Sequence, residues 1–72
     1  MTKDEAIKYN KDALNMELTA LRVGILRCSE DINKPMELKT HTKLLIEHAI
    51  KAHELATEIL SMEANKIMEK EK

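Results

Sequence analysis

Between Leu14 and Ile32 the residues Leu14, Leu18, Leu21, Ile25, Cys28 and Ile32 recur at steps of four, three, four, three and four. On a helix advancing about 100° per residue, that spacing gathers six side chains into one narrow stripe, the seam of a heptad repeat. A second stripe, Tyr9, Ala13, Met16, Ala20 and Val23, falls roughly opposite the first. A helix with two apolar faces needs two neighbours. Assembly is therefore the first thing this sequence constrains.

At 72 residues the chain is read as a single domain, 1–72, with too little core to hold itself together without staples, metals or further copies. A lone Cys28 excludes an internal disulfide, and the N-terminus lacks the apolar segment of a secretory leader, so a cytoplasmic protein is expected. Aliphatic runs such as Leu44-Leu45-Ile46 fall far below the roughly 20 apolar residues that cross a bilayer. No membrane is expected among its partners. Six Lys/Arg stand against six Asp/Glu in residues 1–34, and six against seven in residues 35–72, giving a net charge of -1. A field so balanced does not draw nucleic acid to the whole chain; such binding needs a local patch.

Thr2-Lys3-Asp4-Glu5 forms a capping box, and Asp4 and Glu5 add negative charge where the helix dipole favours it. The periodicity then predicts a helix over 2–33, about 45 Å long. Gly24 inside it implies close approach of another backbone, with Ala13 and Ala20 keeping that side small. Asn33-Lys34-Pro35 is the strong break: Asn33 tolerates the left-handed conformation, Pro35 pushes Lys34 out of the α region, and Pro35 suits the first position of a new helix. The turn is set at 33–35 and the second helix at 35–70, with a start at Thr40 or Thr42 as the alternative.

On the second helix Leu38, Leu45, Ala49, Ala52, Ala56, Ile59, Leu60 and Ile67 form the apolar centre. Leu44, Leu55 and Met62 flank it on one side, and Ile46, Ile50 and Ala64 on the other. Lys43, Glu47, Lys51, Glu54, Glu58, Ser61 and Asn65 face water. Glu69-Lys70-Glu71-Lys72 carries nothing apolar and is expected to fray. The fold class that follows is all-α: an antiparallel two-helix hairpin. Its intrachain seam is Leu14, Leu18, Leu21, Ile25, Cys28 and Ile32. Tyr9, Ala13, Met16, Ala20 and Val23 are left as the oligomer interface of a homodimeric four-helix bundle, with the relative direction of the two hairpins open.

His41 and His48 stand one heptad apart, and the hairpin brings Cys28 toward the first, a combination that raises zinc. Seven residues separate the two imidazoles by about 10 Å along the axis, too far for one ion, so no metal and no cofactor are expected. Glu-x-x-His pairs on inward faces, Gly-rich phosphate loops, nucleophile elbows and His-Glu-x-x-His helices are all missing. No catalytic residues are assigned, and an enzyme is not expected.

Lys8, Lys11, Asn15 and Arg22 form a strip between the two stripes of the first helix, suited to an anionic partner or to ion pairs across the seam. Met1-Thr2-Lys3-x-Glu5 and Ala13-Leu14-Asn15-Met16 resemble two pieces from the start of the Rop family of plasmid copy-number regulators. The resemblance implies a helical hairpin that dimerises into a four-helix bundle and binds paired RNA loops through its first helix. Of that family's RNA-facing residues, Lys3 and Asn15 have counterparts here. The family's phenylalanine falls on Thr19, its glutamine and lysine fall on Val23 and Glu30, and the two pieces lie five residues further apart. The leading expectation is a small interaction protein, a regulator or inhibitor that binds another protein; the alternative is a Rop-like RNA-binding dimer using Lys3, Lys8, Lys11, Asn15 and Arg22.

Overall fold

In the computed structural model, which describes residues 2–70 and their side chains as far as Met68, the chain forms α1 (Lys3–Glu30) and α2 (Pro35–Lys70). Met1 and the Glu71-Lys72 end of the tail expected to fray lie outside the described residues. Thr2 is extended at φ -72 and ψ 165 and accepts from the Glu5 amide at 3.1 Å, while its hydroxyl donates to the Glu5 carboxylate at 3.1 Å. One amide that a helix start leaves unpartnered, that of Glu5, is thereby engaged, and the Thr2 hydroxyl is held in place by the Glu5 carboxylate.

α1 stops at Glu30, three residues before the expected end. Asp31 caps it, its amide bonding the Arg27 carbonyl at 3.0 Å, and the Asp31 carbonyl accepts from the Lys34 amide at 2.8 Å. That bond closes a tight turn without a left-handed residue, so Asn33 does not play the part expected of it; no described residue has a positive φ. Pro35 then restarts the helix at once. Thr40 and Thr42 are not caps, because their hydroxyls donate back to the Met36 and Leu38 carbonyls at 3.2 and 2.8 Å from inside α2.

The two helices lie side by side in a rod of 58 × 15 × 15 Å. Its radius of gyration is 16.6 Å, against about 11 Å for a compact chain of this length. The seam between them follows one rule on each helix. On α1 the partly or fully buried row is Ile7, Asn10, Leu14, Glu17, Leu21, Gly24, Cys28 and Asp31; on α2 it is Leu38, His41, Leu45, His48, Ala52, Leu55, Ile59, Met62 and Lys66. Both advance by alternating threes and fours, the spacing that keeps one face of each helix turned toward the other. Ala6, Ala13, Ala20 and Thr42 border the seam and are also half-buried.

This seam is turned relative to the expected one. Leu14, Leu21 and Cys28 lie in it, but Leu18, Ile25 and Ile32 are 39%, 56% and 65% exposed. Glu17, Gly24 and Asp31, each one residue earlier, take their places. The reason is reciprocal fit: Glu17 and Asp31 meet histidines of α2, and Gly24 makes room for a leucine. A Cβ built on Gly24 would stand 2.7 Å from Leu45 Cδ2 and 3.2 Å from Leu45 Cγ. The close approach inferred from Gly24 is thus by the Leu45 side chain and not by a backbone. On α2, Leu55 and Met62 prove to be seam residues, whereas Ala49, Ala56, Leu60 and Ile67 of the expected apolar centre are exposed.

Gly24→Ile gains helix propensity but overpacks Leu45, so thermal melts followed by circular dichroism should show a net loss of about 1–3 kcal/mol. Adding Leu45→Ala should recover most of that loss; a double variant no better than the single would separate Gly24 from Leu45.

Candidate interaction surface

Polar side chains cross the seam at intervals along its length. His41 Nδ1 donates to Asp31 Oδ2 at 2.6 Å, and His48 Nδ1 donates to Glu17 Oε2 at 2.6 Å, with Lys51 Nζ 3.6 Å from the other Glu17 oxygen. Asn10 Nδ2 lies 3.1 Å from Met62 Sδ. Lys11 pairs with Glu63 at 2.8 Å, and Lys66 pairs with Asp4 near the open end. No buried side-chain nitrogen or oxygen among the described residues lacks a partner. The hydrogen bond from His48 holds the Glu17 carboxyl below its usual range, aided by the charges of His48 and Lys51 and opposed by partial burial. Lys11 does the same for Glu63.

These contacts identify residues that hydrophobic periodicity passed over. Asn10, Glu17, Gly24 and Asp31 repeat every seven residues between Ile7, Leu14, Leu21 and Cys28. That interleaved polar or small row was the available signal. His41 and His48, one heptad apart, both lie within the seam, while His53 is exposed. Cys28 is half-buried and His41 is held by Asp31; among the described residues no group of three or more His, Cys, Asp or Glu could hold a metal ion.

Two edges flank the seam. On the first, Lys11, Leu18, Ile25 and Ile32 form a row at seven-residue steps along α1, and Glu63, Ala56, Ala49 and Thr42 form the matching row on α2. The Lys11–Glu63 pair fixes that these two rows adjoin. Ile46 and Leu60 lie just outside the α2 row, and both are exposed. On the second edge Ala6, Ala13, Ala20 and Arg27 face Leu44, Lys51 and Glu58, with Tyr9, Met16 and Val23 beyond. A cleft of about 300 Å³ opens there, floored by Ala20, Val23, Gly24, Leu44 and Leu45 and rimmed by Arg27, His41 and His48.

The residues expected to form an oligomer interface are accordingly divided. Ala13 and Ala20 pack against α2 because α1 is turned toward its polar row, and only Tyr9, Met16 and Val23 of that set are exposed. Of the cationic strip, Lys11 is paired with Glu63, while Lys8, Asn15 and Arg22 stand one heptad apart on the exposed back of the first edge. No helix among the described residues is long and apolar enough to cross a membrane. Compared with family models, curated proteins and solved structures, the chain matches none.

The geometry yields an acid dependence with a defined sign. The folded Glu17 carboxyl titrates below its ordinary 4.5, so its contribution to stability is complete above that value and is lost as pH falls through the folded one. Denaturant titrations between about pH 7 and pH 3 should show this decline, with a share from Glu63. Glu17→Gln should be less stable than the parent at neutral pH and should flatten the decline. An acid profile identical to that of the parent would disconnect Glu17 from His48.

Proposed function

We propose that this chain is a small non-catalytic interaction protein, a regulator or inhibitor that works as a homo-oligomeric helical bundle and acts by binding another protein. One observation carries the reading: among the described residues only Ile7 and Ala52, at 6% and 7% exposure, are buried. Meanwhile Tyr9, Met16, Ile25, Ile32, Ile46 and Leu60 stand more than half exposed. Apolar side chains in such number on both edges of one thin rod are the mark of surfaces that associate. The clefts found among the described residues are open ones, and the polar side chains that cross the seam bond to each other.

An RNA-binding reading draws on Lys8, Asn15 and Arg22, whose regular spacing on an exposed face suits a phosphate backbone. Against it stand the net charge of -1 and the pairing of Lys11 with Glu63. Base stacking would need aromatic side chains, and the chain has Tyr9 alone.

Light scattering should return a multiple of 8.3 kDa, and helicity should fall on dilution because folding and association are coupled. A monomer whose melting is independent of concentration would end this reading. Gel shifts with structured RNA should give only weak, salt-sensitive binding. Submicromolar affinity at physiological salt, reduced by Arg22→Glu, would put RNA in place of a protein partner.

A further inference from the structure

The first edge and the second edge are not equivalent, and their difference says what covers one of them. The rod exposes 5956 Å², whereas a folded monomer of 8.3 kDa exposes about 4,600 Å². The excess, about 1,400 Å² per chain, is of the size that stable homodimers bury on each side. On the first edge both helices contribute apolar rows. On the second, α2 offers Lys51 and Glu58 beside Leu44, and α1 ends its row in Arg27.

The polar row of the seam points the same way. His41 and His48 line the cleft of the second edge, so Glu17 and Asp31, which they hold, lean toward that side. The apolar row, Ile7, Leu14, Leu21 and Cys28, leans toward the first. Covering the first edge therefore extends one continuous apolar core and leaves the histidine–carboxylate pairs toward water, where their desolvation costs least.

Side-chain size then selects the occupant. Leu18, Ile25 and Ile32 on α1 are large, whereas Ala49 and Ala56 on α2 are small. The Asp31–His41, Lys11–Glu63 and Asp4–Lys66 contacts fix the levels: Leu18 stands between Ala49 and Ala56, and Ile25 between Thr42 and Ala49. A two-fold axis along the rod lays α1 of each copy over α2 of the other. Leu18 and Ile25 of each copy then meet gaps in that small row of the other, with Ile46 and Leu60 flanking it, as knobs meet holes. The same axis sets Lys11 of each copy against Glu63 of the other. A two-fold across the rod would instead lay α1 on α1, large against large.

We infer that a second copy of this chain docks on the first edge, through Leu18, Ile25 and Ile32 against Thr42, Ala49 and Ala56, with both turns at the same end of the bundle. This rests on the self-association proposed above and adds the face and the direction.

Light scattering of Ile25→Lys and Val23→Lys, read beside the parent, tests the face. Ile25→Lys should raise the dimer dissociation constant by about a hundredfold or more, since it places an unpaired charge in the interface. Val23→Lys, on the second edge, should leave it within about threefold. A second measurement is independent of any folding defect: spin labels at Lys34→Cys, in the turn, on a Cys28→Ser background. The labels should lie at helix-packing separation. A separation near the 58 Å length of the rod overturns the direction, and a dimer kept by Ile25→Lys or lost in Val23→Lys overturns the face. A parent that is monomeric throughout overturns both this inference and the self-association beneath it.

Discussion

The rotation of α1 about its own axis is set where Glu17 meets His48 and Asp31 meets His41, and the rest of the molecule depends on it. Each pair is partly open to solvent, so each adds little net stability. Their effect is on choice. A carboxylate placed at a seam must find a donor or stay hydrated, and these two find imidazoles at the matching levels of α2. With Gly24 between them admitting Leu45, the polar row closes against α2. Leu18, Ile25 and Ile32 are thereby displaced to an edge. The aliphatic contacts of Ile7, Leu14 and Leu21 with α2 supply the favourable burial, and the polar contacts decide which side chains take part in it.

Much of the hairpin was legible in the sequence. Thr2 and Glu5 announced the start of α1, Pro35 announced α2, and the turn lay within two residues of where Asn33 and Pro35 put it. Which face of α1 meets α2 was not legible from apolar spacing alone, for a physical reason. The most regular apolar stripe of α1 is shared between the seam and an exposed edge, so it does not point squarely at α2. Leu14, Leu21 and Cys28 of that stripe face α2 of the same chain, and Leu18, Ile25 and Ile32 face away from it. Treating charged residues as solvent-facing then hid Glu17 and Asp31, whose seven-residue phase with Asn10 and Gly24 marks the other half of the seam.

The unequal edges bear on function. A hairpin that lay flat and amphipathic would have one apolar side and one wet side. This one carries apolar residues on both, but in different company. Leu18, Ile25 and Ile32 stand exposed beside the row of Thr42, Ala49 and Ala56. Tyr9, Met16 and Val23 lie on the edge that carries Arg27, Lys51 and Glu58, and a shallow cleft opens at its Val23 and Arg27 end. A mixed surface of the second kind is what the proposed protein partner would meet: aromatic and methionine side chains that adapt, and charged neighbours that select.

Acid chemistry ties these parts together. Protonating Glu17 turns its charge-assisted bond with His48 into a weaker neutral one, so the rotation that displaces Leu18 and Ile25 has one of its two determinants weakened. The pair lies toward the second edge, so a copy docked on the first would not shield it from solvent protons. The hairpin's response to acid would therefore persist within the assembly. Because rotation of α1 would control how its large side chains meet Ala49 and Ala56 of a second copy, loss of the Glu17–His48 contact would act on the proposed association as well as on the hairpin, beside the share that Glu63 contributes on the first edge.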